Sequence, residues 1–285
     1  MPTGVHHDIP DADYRNAVGV SNSMLKVLRE RWSPEYAQLR LKTPKETTEA
    51  FAFGKAIHAS LLTPDVKPTW IVAPEGMSFR TKEGKAWKEA QQKGGLDVIQ
   101  FDGNYGGTRL TATIKKFKSH ALAMSAIGDG KPEVSCFAPY NCGGTVMRKM
   151  RADWVCTAPT IVDLKTSMDC SPKCVGKRDE FSSSLYDLDY DMQAAFYLDT
   201  YNDAKPEDRK ENFVFVAMDW DEDTGYVGIR VLQCDETVIK SGREKYTEAL
   251  IRWIEAEQQG WKTGYNEDVT MLSVPEYIAK KYRSF

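Results

Sequence analysis

Thr160-Ile161-Val162-Asp163-Leu164-Lys165-Thr166 is the stretch on which the fold turns. Its β-branched residues, entered from the short link Cys156-Thr157-Ala158-Pro159, mark the second strand of a hairpin. Residues i and i+2 of a strand point the same way, so Asp163 and Lys165 share one face while Val162 and Leu164 turn to the core. The β-rich segment before it, 146–155, ends in Arg151-Ala152-Asp153-Trp154. If the two segments pair, Asp153 and Asp163 come close enough to share a cation. Two unpaired carboxylates and a lysine in a partly buried position are costly unless a metal compensates them. Oxygen ligands of this kind suit Mg²⁺, or Mn²⁺. Asp/Glu-x-Lys occurs six times in the chain, and the other five copies lie in turns or polar helices. Only this copy has a hairpin-partner aspartate, although on its own it equally fits a surface salt bridge on an edge strand.

Upstream, the pattern is helical. Ser21 caps a short amphipathic helix through Met24, Leu25, Val27 and Leu28, and Ser33-Pro34 opens a second. A third runs over 47–62 until Thr63-Pro64-Asp65 stops it, and 70–72 reads as a short strand. Polar and basic helices are expected over 81–93 and 107–125. Downstream, 134–138 is a further strand and the Ser-, Cys- and Lys-rich segment 170–187 reads as a mobile loop. A helix over 190–202, strands over 213–218 and 226–232, and a long helix over 235–259 complete the chain. The order predicts an α/β (α+β) fold in a single domain spanning 1–285. Its parts are a helical N-terminal region over 14–125, a core over 131–235 and a C-terminal helix from 235 to 285.

The 285 residues carry a net charge of −3, with 38 Lys+Arg and 41 Asp+Glu. Even spread of apolar and aromatic residues excludes disorder and a disulfide miniprotein. No apolar run reaches the roughly 18–20 residues of a membrane helix, and no secretory signal opens the chain. Six cysteines without a C-x-x-C pair are expected to be reduced, so a cytoplasmic location is expected. The charge is uneven: residues 78–118 hold nine Lys/Arg and four Asp/Glu, whereas 179–224 hold three and fourteen. Such asymmetry fits either a basic face for a phosphate backbone or ordinary solvated helices.

Two further elements bear on chemistry. Phe53-Gly54-Lys55-Ala56-Ile57-His58 places a histidine inside an apolar helix, and Tyr190-Asp191-Met192-Gln193-Ala194-Ala195-Phe196-Tyr197 puts Gln193 and Tyr197 on one helical face. Taken in order, Gly54-x-x-x-His58, Glu133, Asp153, Asp163-x-Lys165 and Gln193-x-x-x-Tyr197 resemble the PD-(D/E)xK nuclease superfamily in its RecB/lambda-exonuclease branch. Val20-Ser21-Asn22-Ser23-Met24-Leu25-Lys26, followed by Ser33-Pro34, looks like the opening segment of the RecE-type (exonuclease VIII-like) phage and prophage exonucleases. The likeness covers residues 14–235.

That resemblance implies a restriction-endonuclease-like core, a central mixed sheet flanked by helices, with a metal site at one sheet edge. It implies His58, Asp153 and Asp163 as metal ligands and Lys165 as the residue that positions or activates water. Glu133 matches the upstream acid, Gln193 the glutamine near the scissile phosphate, and Tyr197 supports that helix and is expected at the DNA. Arg80 is expected at a 5′-phosphate, and Arg148, Lys149 and Arg151 on the DNA backbone. The implied activity is Mg²⁺-dependent 5′ to 3′ digestion of one strand of linear duplex DNA in a bacterial host or phage-infected cell. The 3′ overhang would pass to a single-strand annealing protein, with the enzyme closed into a homo-oligomeric ring. Only Cys234 follows the glutamine helix, so no iron–sulfur cluster is expected. The alternatives are an end- or structure-specific endonuclease on the same fold and a DNA-end-binding module without turnover.

Overall fold

The computed structural model describes residues 1–43, 47–173, 179–265, 269, 271–276 and 279. In chain order the elements are β1 (Gly4–His6), α1 (Asp11–Asn16), α2 (Asn22–Arg31), α3 (Pro34–Lys42), α4 (Glu49–Leu62), β2 (Trp70–Val72), α5 (Lys82–Lys93), β3 (Asp97–Ile99), α6 (Gly107–Ser119) and α7 (Ala121–Ile127). They continue with β4 (Gly130–Asn141), β5 (Thr145–Cys156), β6 (Thr160–Thr166), α8 (Glu180–Asp187), α9 (Tyr190–Ala204), β7 (Asn212–Asp221), β8 (Tyr226–Gln233) and α10 (Glu236–Gln258).

Six strands form one mixed sheet in the order β1-β4-β5-β6-β7-β8. Neighbours are antiparallel except β6 and β7, which run parallel from Thr160↔Asn212 to Thr166↔Met218. A parallel pair needs a crossover, and α8 and α9 supply it. The strand alternation read from 160–166 separates two helical layers. On one face Ile161, Met150, Phe213 and Phe215 pack against Leu25, Phe196 and Leu250 of α2, α9 and α10. On the other, Val162, Leu164, Val214 and Val216 pack against Phe53, Ile57 and Phe117 of α4 and α6. Each such buried side chain contributes about 1.5–3 kcal/mol. The mixed sheet flanked by helices is the expected architecture.

Side-chain caps start several of the helices, α4 with His58 among them. Ser21 accepts from the Met24 N–H, Thr48 from Phe51 and Thr81 from Gly84, each worth ~1 kcal/mol. Three expectations need correction. The helix expected over 107–125 is two, because the His120 backbone is extended and its ring accepts from the Ala123 N–H, starting α7 anew. The loop expected over 170–187 is partly built: Asp179 caps α8, which buries Phe181, and Cys170 is buried with its N–H on Asp219 Oδ2 at 2.6 Å. Cys174, within the same expected loop, lies outside the described residues. Finally, β3 pairs in parallel with β2 in a separate two-stranded sheet that the sequence pattern did not show. Among the described residues no helix is long and apolar enough to cross a membrane.

Candidate active site

The site lies where the β5–β6 hairpin comes apart. Its ladder is short, with Trp154↔Val162 and Val155↔Ile161 as the paired residues. One step further, at Asp153 and Asp163, a side chain replaces the strand bond: Asp153 Oδ2 accepts from the Leu164 N–H at 2.8 Å. The neighbouring β4–β5 ladder is also disturbed here. Glu133, between the paired Pro132↔Trp154 and Val134↔Ala152, has a left-handed backbone with φ of 51°. Across the same point the alternation of β5 slips, since Ala152 and Val155 pack on one face of the sheet and Trp154 on the other. Such a slip re-aims a side chain next to it. A glutamate held in the left-handed region costs about 1–3 kcal/mol, and strain of that kind gathers at working sites.

Asp163 and Lys165 point together toward α9, as the strand period requires. Asp163 is 2% exposed. The Lys165 ammonium stands 2.5 Å from Asp163 Oδ2 and donates to Gln193 Oε1 at 3.0 Å. The Gln193 amide donates back through Nε2 to Asp163 Oδ1 at 2.5 Å, closing a three-membered cycle. Lysine is only a donor and a carboxylate only an acceptor, so a third group that bonds to both must accept from one and donate to the other, and glutamine does both. The ring of Tyr190, one turn before Gln193, lies 4.6 Å from the Lys165 ammonium and holds it by cation–π attraction.

From the opposite layer, α4 brings in His58. Its Nδ1 is 3.4 Å from Asp153 Oδ2, and its Nε2 lies 3.1 Å from the Leu164 carbonyl oxygen. Gly54, one turn earlier, faces the end of β6, where a Cβ would make only an ordinary contact with Thr166 Oγ1 at 3.8 Å. The histidine and the two aspartates, distant in sequence, thus meet around Leu164.

The electrostatics follow from crowding acids in a buried place. Burial, and then the charge of Asp153, lift the Asp163 carboxyl to about 6. Burial and Asp153 also raise Glu133. Burial would depress the His58 imidazole, but Asp153, by charge and hydrogen bond, carries it up to about 9. Asp153 itself is drawn below the usual carboxylate range against its burial, by His58, Lys165 and the Leu164 N–H. Lys165 stays charged because Asp163 and Asp153 outweigh its desolvation. Tyr197, half-buried on α9, is pushed well above its ordinary value by desolvation, then by Tyr14 and the nearby acids.

This donor set fits a hard divalent cation. Asp163 Oδ2 is buried with no aligned hydrogen-bond donor, and the repulsion between Asp153 and Asp163 is of the kind a cation relieves. Among the described residues no group of three His, Cys, Asp or Glu side chains is arranged to hold a metal ion as it stands. Asp153, Asp163 and His58 are the residues that would hold the ion.

Two of the expected DNA contacts on β5 are corrected, because their charges are used inside the protein. Arg148 is 0% exposed, pairs with Asp203 and lies over the Tyr140 ring at 4.5 Å. Lys149 is buried and its ammonium is spent on the backbone carbonyls of Tyr14, Arg15 and Ala17, the last at 2.6 Å. Arg151 is largely enclosed too, bonded to Ser135 Oγ and the Ile9 carbonyl. Arg80 is exposed but stands apart from the acid cluster, lining a separate cleft. The sequence reading left one nearby cation without a role. Lys26 of α2 donates to the Leu188 carbonyl at 2.5 Å and lies 5.2 Å from the Tyr190 ring whose face Lys165 also uses. Burial, and then the charge of Lys165, lower Lys26 to about 8. Its place in the Ser21-to-Lys26 segment was the available signal.

A mixed sheet that brings an acid, an acid-x-lysine strand and a helical glutamine to one opening is a nuclease core of the PD-(D/E)xK type. The chain belongs to the family described as PDDEXK-like domain of unknown function (DUF3799), whose model matches residues 21–273. Among solved structures it is similar to one named "Putative exonuclease" from Eubacterium rectale, at 15% identity, with a TM-score of 0.61 over 98% of this chain and 100% of that one. At that identity the likeness is one of fold. A second solved chain, SSO0001, aligns at 16% identity over 80% of this chain and 84% of its own, with a TM-score of 0.28 that carries no argument. No curated protein matches the sequence.

Proposed function

We propose that the protein is a Mg²⁺-dependent exodeoxyribonuclease that digests one strand of linear duplex DNA from 5′ to 3′, in the manner of the RecE-type exonucleases, with Mn²⁺ as a substitute ion. The observation that carries the reading is the closed cycle of Lys165, Gln193 and Asp163 beside Asp153 and His58. When bound, the cation supplies a Lewis acid for the phosphate and hydroxide at neutral pH.

The chain's own residues do the rest. Lys165, kept charged and fixed by Asp163, Gln193 and Tyr190, presents a cation to a phosphate that gains negative charge as water attacks. A lysine held in that form orients water and offsets charge; it does not take the proton. Gln193, spanning both partners, keeps the ammonium from rotating away when the phosphate arrives. Lys26 adds a second cation beside the Tyr190 ring. By family analogy the 3′ overhang goes to a single-strand annealing protein, and the enzyme works as a closed homo-oligomeric ring in the cytoplasm.

Linear duplex labelled at the 5′ or the 3′ end tests polarity, with covalently closed circular DNA beside it. Prompt release of the 5′ label and an intact circle are expected. Cutting of the circle, or first release of the 3′ label, would replace this reading with that of an endonuclease or a 3′ exonuclease.

A further inference from the structure

The cleft beside Arg80 belongs to a small unit, β2, α5 and β3, that the catalytic chemistry leaves unused. Gly76, Ser78, Phe79, Arg80, Phe101 and Asp102 are among the residues that enclose its ≈ 450 Å³. Phe79 lies parallel to Trp87 of α5, with centroids 6.4 Å apart and planes 13° from parallel, and the Lys88 ammonium is 5.1 Å from the Phe79 ring. Over residues 79–93 there are five Lys/Arg and two glutamates, Glu83 and Glu89. Among the described residues no carboxylate pairs with Arg80, Lys82 or Lys85, all of them exposed.

Aromatic faces beside unpaired cations attract nucleic acid, and the shape of the cleft selects its form. A duplex keeps its bases stacked on each other and offers no base face to Phe79 or Phe101, whereas an unpaired base offers both of its faces. The carboxylate of Asp102 suits the N–H edges of a base rather than a phosphate, which leaves the phosphates to the cationic rim. The unit is also tied to α4, the helix that carries His58. Asp97 of β3 pairs with Lys55 of α4 at 2.5 Å, and the Gln100 amide donates to Glu49 of α4 at 3.3 Å. Beyond β3, Arg109 donates to the carbonyl of Ser167, two residues past Lys165, and the Tyr105 hydroxyl reaches Met168 Sδ at 3.7 Å.

We infer that the Phe79–Phe101 cleft and the Arg80, Lys82 and Lys85 rim form a second binding surface, specific for single-stranded DNA. The inference rests on the reading of the protein as a DNA-end nuclease only for which molecule arrives there. It is tested by fluorescence anisotropy of fluorescein-labelled dT12, of the same oligomer with abasic sites, and of a blunt hairpin duplex, all in EDTA across a salt series. The full-length protein is compared with Arg80→Ala/Lys82→Ala/Lys85→Ala, whose changes are all at exposed positions, and with Phe79→Ala, whose folding is checked by melting. The triple variant is expected to bind dT12 about tenfold or more weakly, with a salt slope smaller by ~0.7 for each phosphate it no longer neutralises. Wild type should also bind the abasic oligomer about tenfold more weakly than dT12. Unchanged dT12 binding by the triple variant overturns the surface, whether or not the protein cleaves DNA. Equal binding of dT12 and the abasic oligomer overturns the stacking cleft. Loss of dT12 binding in the triple variant, in a protein that cuts nothing, upholds the surface and refutes the nuclease reading instead.

Discussion

The two ends of β5 carry charged residues under opposite conditions. Toward Thr145 the ladder with β4 is continuous, and Arg148 and Lys149 are buried with partners inside the chain. Toward Cys156 the ladder with β6 opens after two pairs, Glu133 is left-handed, and Asp153 and Asp163 face each other across the gap. A closed ladder turns a charged residue into a structural tie, because its partner is built in. An open one leaves Asp163 with its proton affinity raised by burial and by Asp153, a mismatch of the kind that gathers at working sites.

Breaking the closed end should cost stability and spare DNA recognition. Arg148→Ala removes a fully buried side chain from the Tyr140 ring and is expected to cost about 2–5 kcal/mol, as for truncating a large buried residue. Chemical denaturation measures this, and the salt dependence of DNA binding should not change; a shallower slope would return Arg148 to the DNA surface.

At the open end, Lys26→Ala should leave folding intact and slow cleavage about tenfold, a loss of ~1.4 kcal/mol in the barrier. Single-turnover digestion of a linear duplex reads it, and an unaltered rate would confine Lys26 to packing α2 on Tyr190.

Removing charge there should stabilise the metal-free protein. Asp163 is raised to about 6, so the folded form holds its proton more tightly than the unfolded chain. The stability this lends at low pH is lost as pH rises through 6, which leaves repulsion from Asp153 at pH 7.5. Asp163→Asn, which abolishes that repulsion, should raise the melting temperature in EDTA at pH 7.5 by roughly 2–4 °C. A lowered melting temperature would mean that the carboxylate is a net tie, like those at the other end of β5.

The smallest effect expected is a pH dependence from His58. Its imidazole is raised to about 9, so the contribution of its bond to Asp153 is complete below about 6.5 and disappears as pH climbs through 9. His58→Gln should flatten the decline in melting temperature over that window. A parallel curve would show that the histidine is neutral in the folded state.

What was legible follows the range of the interactions. Asp163, Lys165 and the hairpin-partner Asp153 are set by strand alternation and a three-residue link, both local, and Gln193 with Tyr197 by helical spacing. The environment of 146–155 was not legible: both faces mix apolar and basic residues, and either passes for the exposed one until α9 supplies Asp203 to Arg148 and the N-terminal segment covers Lys149. Nor was α8, whose Ser182-Ser183-Ser184 run has low helix propensity and is rescued by the Asp179 cap and the burial of Phe181. The backbone of Glu133 and the approach of Lys26 to Lys165 depend on contacts between distant segments, which no local pattern encodes.

The central claim, that the opening between β5 and β6 is a divalent-ion-dependent phosphodiester site, is tested most directly by digestion of linear duplex DNA. Wild type, Asp163→Asn and Lys165→Ala are compared with Mg²⁺ and with EDTA. The account predicts cleavage by wild type in Mg²⁺ only, and rates about a hundredfold to a thousandfold lower in both variants, each still folded by its melting curve. Cleavage that survives EDTA, or that persists at the wild-type rate in both folded variants, would contradict it.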